Sequence, residues 1–300
     1  MRNASGLTIV AMVAWGLGYV PSALLIESWP PLLAAGARLG LAGLVLLGVL
    51  AASGRSLWPR ASLATVAWLA LTQSVLFYGA TYWGIQQDGA GLAAVLSNTD
   101  PIFVAALGAV LLSEPLVGRQ WVGMAIGLIG AGIAAWDGPL WPPGISLSAL
   151  VVMGGAVAWA LGTVTAARGV RATASPLALA AWQMTLGGVA LIVWGAIVGG
   201  EVVASGPREI ALVVGLAVGA SALPAVLFYT ALQLAPAAEV SAWFFLIAPI
   251  GVLSAWVLLG ERPGPALIAG LVAVSVGIWL VVARRPGVGG RLAPAPAPEE

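Results

Sequence analysis

The sequence predicts an all-α integral membrane protein in which ten transmembrane helices form two inverted five-helix repeats. Three observations support this prediction: an apolar composition, ten long apolar runs, and motifs that recur after about half the chain. Hydrophobic residues make up 61% and charged residues 8% of the 300 residues, and the mean hydropathy is +1.03. A water-soluble domain needs roughly a quarter charged residues. The solvent is therefore a lipid bilayer.

The apolar runs match the thickness of a bilayer, because a membrane-crossing helix needs about 20 residues. The segments between them are short, which leaves no room for a sizeable soluble domain. The ten predicted helices cover residues 6–25, 32–52, 61–84, 89–112, 118–136, 145–167, 176–199, 210–234, 237–259 and 265–283.

Three residue types are missing from the chain: Cys, His and Lys. Their absence excludes disulfides, Cys- or His-based zinc sites, Ser–His–Asp triads, Schiff-base chemistry and the P-loop lysine. An intramembrane aspartyl protease needs two intramembrane aspartates, and only Asp100 falls inside a predicted helix. We expect no metal site, no cofactor, no catalytic residue and no nucleic-acid partner.

The arginines predict the orientation, because positive side chains are retained on the cytoplasmic side. With a cytoplasmic N-terminus, two arginines flank the external ends, Arg208 and Arg262, while Arg38 lies inside a helix. Both termini are then cytoplasmic, residues 137–144 form an external loop, and residues 284–300 form a disordered cytoplasmic tail. The nine arginines on the cytoplasmic side are Arg2, Arg55, Arg60, Arg119, Arg168, Arg171, Arg284, Arg285 and Arg291.

Several motifs occur twice in the same order. The stretch LLSEPLVG, which contains Glu114, reappears as LLGERPGP, which contains Glu261, 147 residues later. Pro101 in DPIF corresponds to Pro249 in APIG, AWG at residue 14 to AWALG at residue 158, and FYGA at residue 77 to FYTA at residue 228. Residues 1–136 therefore form one five-helix repeat and residues 145–283 form the second.

The odd number of helices per repeat determines how the repeats face each other. A five-helix unit ends on the side opposite its start, so the second copy inserts upside down. Glu114 then lies on the cytoplasmic side and Glu261 on the external side. Inverted repeats of this kind place a binding site between the two halves, near the middle of the membrane.

The recurring text extends over most of both halves. It runs as GAGLAAVLSNTDPIFVAALGAVLLSEPLVGRQWVGMAIGLIGAGI in the first and AAEVSAWFFLIAPIGVLSAWVLLGERPGPALIAGLVAVSVGI in the second. With its run of small residues, mid-helix proline, terminal glutamate and closing Gly-Ile, the chain resembles the drug/metabolite transporter superfamily, in its ten-helix form with two EamA-like repeats. Within that superfamily it is most similar to the exporters of aromatic amino acids and methyl viologen.

This resemblance implies an exporter of small metabolites in the cell (inner) membrane, working by alternating access. The implied substrates are aromatic and other neutral amino acids, with flat organic cations as a second group. We expect a monomer, with protons as the candidate coupling ion. One alternative within the superfamily is a nucleotide-sugar or phosphate-ester exchanger, which needs several basic residues where only Arg38 is present. The alternative from another class is an intramembrane enzyme.

Aromatic side chains with a polar tip suit a cavity for an amphipathic solute, because the ring stacks while the tip forms a hydrogen bond. Residues four apart share a helix face. Interface anchoring or packing is the alternative reading. In the inverted arrangement we expect Tyr78 and Tyr229 to help close opposite ends of the transport pathway. The candidate cavity residues are Trp15, Tyr19, Ser74, Tyr78, Tyr82, Asn98, Trp159, Thr163, Tyr229 and Trp243.

Two ionisable groups lie deepest in the membrane, where such groups are costly unless they are paired or face water. Asp100 is the candidate proton carrier, and Asn98 can share its pocket. For Arg38 we expect pairing with a carboxylate or with helix-end carbonyls, and binding of a substrate carboxylate is the alternative. Pro101 and Pro249 each remove a helical hydrogen bond. They are candidate hinges, with a static kink as the alternative.

Two further repeating features are expected to be structural. Glu114 and Glu261 are predicted to be helix-end caps or loop anchors. Glycines four residues apart let membrane helices approach closely. These glycine pairs are Gly36 and Gly40, Gly123 and Gly127, Gly195 and Gly199, and Gly215 and Gly219.

Overall fold

The computed structural model describes residues 2–111, 116–135, 146–169, 175–200, 202, 205–234 and 242–282, and these contain helices and no strand. Glu114, the predicted loop 137–144 and the predicted tail 284–300 lie outside the described residues. The α-helices are α1 (Arg2–Leu17), α2 (Tyr19–Ile26), α3 (Pro31–Ala52), α4 (Leu63–Leu69), α5 (Phe77–Asp88), α6 (Ala90–Ser97), α7 (Asp100–Leu111), α8 (Gly118–Ala134), α9 (Leu147–Gly169), α10 (Pro176–Val198), α11 (Pro207–Ala217), α12 (Leu223–Leu234), α13 (Ile247–Ser254) and α14 (Pro265–Val282).

Among the described residues, four helical stretches depart from α-helical geometry. A π-helical segment, Ala70–Leu76, joins α4 to α5, and a second, Val218–Ala222, joins α11 to α12. A third, Ala255–Leu259, follows α13, and a 3₁₀ segment, Ala242–Leu246, precedes it. Hydrogen bonds in a π-helix run from residue i to i+5 and in a 3₁₀-helix from i to i+3. Each segment therefore rotates the side chains around it away from the α-helical register.

Among the described residues, seven helical stretches are long and apolar enough to cross a membrane, so the chain is a multi-pass membrane protein. The other three predicted helices overlap α8 and two shorter apolar helices. Large apolar side chains such as Val110 and Ile197, both 78% exposed, cover the outside of the bundle as lipid requires. A count of ten crossings stays a prediction. The seven helices are Ala4–Ile26, Pro31–Ala52, Leu63–Asp88, Ala90–Leu111, Leu147–Thr165, Pro176–Val198 and Pro207–Phe228.

Several helices begin where the sequence supplies a suitable first turn. Pro31, Pro176 and Pro207 are the first residues of their helices. Proline suits this position because the first N–H groups of a helix have no intrahelical partner. The Ser175 hydroxyl adds a cap by accepting a hydrogen bond from the backbone N–H of Ala178 at 3.4 Å.

The fourth predicted helix is interrupted in its middle. Asn98 and Thr99 separate α6 from α7, directly before Asp100 and Pro101. Proline lacks the N–H that would continue the helical ladder, so the break lies where the sequence predicts a kink. Pro249 lies inside α13, just after the 3₁₀ segment. Both prolines thus follow an irregular stretch, and their role as hinges stays a prediction.

Helices α3 and α10 pack against each other through glycines. A Cβ atom on Gly36 would lie 2.8 Å from the backbone nitrogen of Ile192, and one on Gly43 would lie 2.7 Å from the carbonyl oxygen of Ala181. Only glycine permits backbones this close. Later residues of α3 meet earlier residues of α10, so the two helices run antiparallel.

Helices α8 and α14 form a second antiparallel pair. A Cβ atom on Gly123 would lie 2.8 Å from the carbonyl oxygen of Gly277, and one on Gly130 would lie 3.0 Å from that of Gly270. The predicted close approach is present at Gly36, Gly123, Gly127 and Gly195, whereas an added Cβ on Gly40 or Gly199 has nothing within 4 Å. Gly215 and Gly219 have nothing within 4 Å of an added Cβ, so no close helix contact explains that pair.

Candidate functional site

A cavity of about 520 Å³ lies between helices from both halves of the chain. This volume falls within the range of small-molecule sites. Its aromatic side chains are Trp15, Tyr19, Phe77, Tyr78, Tyr82, Trp159, Phe228 and Phe244. Its polar and charged side chains are Ser22, Arg38, Gln73, Thr81, Asn98, Asp100, Gln120, Thr163 and Gln183.

The aromatic side chains form two clusters. In one, the Trp15 ring lies 5.6 Å from Phe228 and 6.1 Å from Phe244, and these two phenylalanines meet edge to face at 5.5 Å. In the other, the rings of Trp159 and Phe77 lie 4.8 Å apart. Each cluster pairs a tryptophan from one half with a phenylalanine from the other. Their faces and edges suit stacking against a flat apolar group.

Arg38 is buried at the cavity wall and is held by neutral partners. Its Nε donates to the Ser221 hydroxyl at 2.8 Å, and one terminal nitrogen donates to the Ala220 carbonyl at 2.7 Å. The π-helical segment that holds both partners interrupts the usual i to i+4 ladder, where a side chain can supply the donor. The other terminal nitrogen lies 3.3 Å from the Ser22 hydroxyl and 3.4 Å from that of Tyr82.

The positive charge of Arg38 has no counter-ion in the described part of the chain. No described carboxylate oxygen lies within 4.0 Å of it. The Tyr78 ring lies below the guanidinium, with 5.1 Å between Cζ and the ring centroid, which gives a cation–π contact. The expected partners of Arg38 are a carboxylate or helix-end carbonyls. The carbonyl that it contacts, on Ala220, lies instead in the π-helical segment between α11 and α12.

A second set of polar contacts joins the end of α6, before its break with α7, to the start of α2. The Tyr19 hydroxyl lies 2.6 Å from the Ser97 hydroxyl and accepts a hydrogen bond from Nδ2 of Asn98 at 2.9 Å. The same nitrogen donates to the Ala94 carbonyl at 2.8 Å. Tyr19 therefore connects the cavity wall to the irregular backbone beside Asp100.

Asp100 is the first residue of α7 and is 8% exposed. Apart from its own backbone N–H, no described residue donates a hydrogen bond to its carboxylate. Asp100 and Arg38 are the charged residues among the described side chains of the wall, and they form no ion pair with each other. The described residues contain no group of three or more His, Cys, Asp or Glu side chains able to hold a metal.

Most of the residues that the sequence singled out lie together around this cavity. Three do not line it: Ser74, Trp243 and Pro249. The side chain of Tyr229 lies outside the described part of the structure. The predicted residues in the wall are Trp15, Tyr19, Arg38, Tyr78, Tyr82, Asn98, Asp100, Pro101, Trp159 and Thr163.

Helical geometry explains why Ser74 departs from the prediction. A spacing of four places Ser74 and Tyr78 on one face only in an α-helix, and Ser74 lies in a π-helical segment. Its hydroxyl instead donates to the Gln183 carbonyl at 3.1 Å. Gln73, one residue earlier, takes the place in the wall and donates from Nε2 to the Thr163 hydroxyl at 2.9 Å.

The 3₁₀ segment has a similar effect on Trp243. Its turns are tighter than those of an α-helix, so the neighbouring Phe244 lines the cavity. Trp243 stacks on Phe245 at 6.3 Å, with 23° between the ring planes. Pro249 is the third residue of α13, and it does not line the cavity.

Other wall residues were not singled out from the sequence. Thr81 lies three residues after Tyr78 on α5, so a search at i+3 as well as i+4 finds it. Ser22, Gln120 and Gln183 are isolated polar residues within apolar helices, where polar groups face the interior of the bundle. That general rule is the signal by which all three could have been found.

Glu261 caps a helix of the other half. Its two carboxylate oxygens accept hydrogen bonds from the backbone N–H groups of Ala90 and Gly91, both at 2.9 Å. These are the first residues of α6, where the helix has unpaired donors and favours negative charge. The predicted capping role is therefore present at Glu261.

Comparison with known proteins places the chain in a family. The sequence profile of the EamA-like transporter family matches residues 3–136 and again residues 146–283. One solved crystal structure has the same fold, with a TM-score of 0.64 and 16% identity over 93% of this chain and 96% of the other.

Related proteins from several bacteria carry transporter names. The "Uncharacterized inner membrane transporter YedA" of Escherichia coli is 32% identical over 54% of this chain, and the chain spans 53% of its length. The "Uncharacterized transporter YvbV" of Bacillus subtilis is 26% identical over 90% of this chain and 88% of its own length. The "Probable amino-acid metabolite efflux pump" of Salmonella typhimurium is 25% identical over 94% of this chain and 95% of its own length.

The double profile match covers nearly all of the chain apart from its C-terminal end. It agrees with the two recurring blocks in the sequence and with a helical bundle whose cavity is lined by both halves. The chain therefore belongs to the EamA-like transporter family, of the drug/metabolite transporter superfamily, and contains two EamA repeats.

Proposed function

We propose that the chain exports aromatic and other neutral amino acids, with flat organic cations as a second group. It does so across the cell (inner) membrane by alternating access between two inverted five-helix halves. The main support is the cavity of about 520 Å³, whose aromatic and polar wall comes from both halves. A site between repeats is accessible from each side in turn when the halves rock against each other.

The antiparallel helix pairs support the inverted arrangement. The sequence repeat makes α3 equivalent to α10 and α8 equivalent to α14. In an inverted duplication, equivalent helices run in opposite directions and meet at the two-fold axis. Both pairs pack together, and their glycine contacts run antiparallel.

The aromatic contacts in the cavity wall follow the same symmetry between the two halves. Trp15 and Trp159 are equivalent in the two repeats, as are Phe228 and Phe77. Trp15 contacts Phe228, and Trp159 contacts Phe77. The π-helical segments that begin at Ala70 and Val218 lie 148 residues apart, close to the repeat distance. We infer a pseudo-two-fold axis through the cavity.

The choice of substrate rests on the wall and on the relatives. The Salmonella relative is named an amino-acid metabolite efflux pump, and so is a relative from Escherichia coli. Aromatic rings suit apolar or flat side chains. A nucleotide-sugar or phosphate-ester exchanger needs several basic groups, and Arg38 is the one basic residue among the described side chains of the wall. This charge pattern favours amino acids.

An intramembrane enzyme is the rival from another class. The family and the transporter names of the relatives favour a protein without catalysis. Product formation by purified protein in detergent, without any gradient, would instead identify an enzyme.

A transport assay tests the proposal. Purified protein in liposomes should take up labelled phenylalanine well above protein-free liposomes, and uridine diphosphate-glucose should not compete. Running the assay with and without a pH gradient tests Asp100 as proton carrier: Asp100→Asn should abolish the response to the gradient. No uptake of any amino acid in the panel would overturn the proposed function.

The inverted arrangement has its own test. The chain lacks cysteine, so Tyr78→Cys and Tyr229→Cys provide single labelling sites without further changes. If the two positions close opposite mouths, adding substrate should raise labelling at one and lower it at the other. Parallel changes would contradict the gating. Labels placed at residues 114 and 261 should react from opposite sides of the membrane, and reaction from one side would contradict the inversion.

A further inference from the structure

We propose that the cavity binds its solute as a zwitterion, with the solute's carboxylate on Arg38 and Thr81 and its ammonium group at Asp100. This inference rests on the proposed function and deepens it, because it names the two charged groups that a solute must carry. It is supported by the charges of the wall, by an unpaired hydroxyl and by the unused hydrogen-bonding capacity at each end.

The wall is neutral overall but carries two separate charges. Among the described side chains of the wall, Arg38 is positive and Asp100 is negative, and no ion pair involves either one. Unpaired charges inside a membrane protein are costly. A zwitterion supplies a counter-charge to both groups, whereas a simple anion or cation supplies only one. The neutral sum also argues against multiply charged solutes.

Thr81 points to a ligand in the cavity. Its side chain is 5% exposed and lines the cavity, and its Oγ1 is buried without a hydrogen-bond partner. Threonines in helices commonly bond to the carbonyl four residues earlier, as Thr72 and Thr163 do at 2.8 Å and 3.0 Å. Buried hydroxyls are nearly always paired. Thr81 lies on α5 between Tyr78 and Tyr82, which both contact Arg38, so its free donor suits a solute carboxylate there.

Arg38 retains donors for the same carboxylate. A guanidinium has five N–H groups. The short bonds to Ser221 and Ala220 use Nε and one terminal N–H. The remaining three N–H groups have only the contacts at 3.3 Å and 3.4 Å to Ser22 and Tyr82. A carboxylate can therefore accept charge-assisted bonds here without displacing the short ones.

The other end offers acceptors. The carboxylate of Asp100 receives no hydrogen bond from another described residue. Asn98 uses its amide nitrogen for Tyr19 and Ala94, so its side-chain oxygen stays available. An ammonium group has three donors and no acceptor. The acceptors on Asp100 and Asn98 match it.

Binding of four related solutes to the purified protein tests this placement. The solutes are phenylalanine, phenylalaninamide without the carboxylate, N-acetylphenylalanine without the ammonium group, and phenethylamine. Binding is followed by intrinsic tryptophan fluorescence in detergent, which does not depend on transport. Phenylalanine should bind roughly 10- to 100-fold more tightly than each analogue, because each analogue loses a hydrogen-bonded charge pair. Equal affinities for all four would overturn the inference.

Thr81→Val tests the carboxylate end and has a matched control. Valine keeps the shape of threonine, so the thermal unfolding temperature should not fall. Phenylalanine should bind about 10-fold more weakly, while phenylalaninamide should be unaffected. Ser275→Ala removes the other unpaired buried hydroxyl of the described chain, which lies outside the wall, and should change neither affinity. Equal weakening of both ligands by Thr81→Val would contradict the placement.

Asp100→Asn tests the other end. The substitution should weaken the binding of phenylalanine about 10-fold and leave the binding of N-acetylphenylalanine unchanged. Preferred binding of the zwitterion without uptake in liposomes would support this inference and contradict the proposed function. Uptake in liposomes together with equal binding of the four solutes would support the proposed function and contradict this inference. Absence of binding for phenylalanine, methionine and leucine alike would overturn the zwitterion site.

Discussion

Ser221 and Ser74 each lie within a π-helical segment, one in each half of the chain. Ser221 accepts a hydrogen bond from the Arg38 side chain at 2.8 Å, whereas Ser74 donates one to the backbone carbonyl of Gln183 at 3.1 Å. Arg38 and Gln183 are themselves equivalent in the repeat. In both halves a serine of the π-helical segment forms a hydrogen bond with a helix of the other half, but only Arg38 brings a charge to this contact. The duplication thus preserved packing while the chemistry of the wall diverged.

The divergence has an electrostatic reason. Gln183 also lines the cavity and is 5% exposed, so an arginine there would place a second positive charge in the same space. Asp100 is the one negative charge among the described side chains of the wall. A symmetric pair of arginines would leave the wall with an excess positive charge, which is costly inside a membrane.

Removing the charge should have the largest effect. Arg38→Gln makes the two halves alike, and we expect phenylalanine uptake to fall about 100-fold, since a charge-assisted pair is worth about 1.5–3 kcal/mol. Gln183→Leu, the matched change in the other half, should lower uptake only a few-fold. Initial uptake rates in liposomes measure both. Equal losses would show that the asymmetry has no functional role.

The two serines should differ in their contribution to stability. Ser221→Ala removes a partner of a charged group and should lower the free energy of unfolding by about 1.5–3 kcal/mol. Ser74→Ala removes a neutral hydrogen bond and should lower it by about 0.5–1.5 kcal/mol. Denaturant unfolding in detergent micelles gives both values. A larger loss for Ser74→Ala would contradict the assigned roles.

The two tryptophans sharpen the comparison because they should behave alike. Trp15→Ala and Trp159→Ala each remove a ring that packs on a phenylalanine of the other half. We expect each change to lower phenylalanine uptake about 10-fold, through loss of apolar and aromatic contact with the solute. Uptake rates normalised to folded protein provide the measurement. If only one variant is affected, the solute lies against one half alone.

The smallest effect is expected at the Glu261 cap. Glu261→Ala leaves the N–H groups of Ala90 and Gly91 without their carboxylate, and loss of such a cap costs about 1 kcal/mol. Glu27→Ala is the control, since its contact with Arg208 at 3.1 Å is exposed and contributes little. Thermal unfolding compares the two variants. Equal shifts would mean that the cap adds nothing beyond an exposed charge.

The sequence was sufficient to predict a helical membrane protein and much of the cavity wall. Long apolar runs and recurring motifs depend on composition and order, which the sequence states directly. Four-residue spacing found Tyr78 and Tyr82 because α5 is a regular helix. The same spacing placed Ser74 with them, and the π-helical segment rotated it onto α10 instead.

The remaining differences arise from contacts between distant parts of the chain. Nothing in the local sequence shows that Thr81 lacks the hydrogen bond that Thr72 forms, or that Arg38 reaches the π-helical segment of the other half. These features depend on how helices from the two halves meet. Helical periodicity describes one helix at a time and therefore cannot supply them.

The Glu261 cap also affects how the protein is made. Glu261 lies 171 residues after Ala90, and its carboxylate accepts a hydrogen bond from the Ala90 backbone N–H. At a synthesis rate of 5–20 residues per second, α6 must wait roughly 10–30 s for its cap. During this time the newly inserted first half has exposed backbone donors at the start of α6 and glycine faces without partners. The first half therefore depends on the insertion machinery, or on a transient lipid or water contact, until the second half arrives.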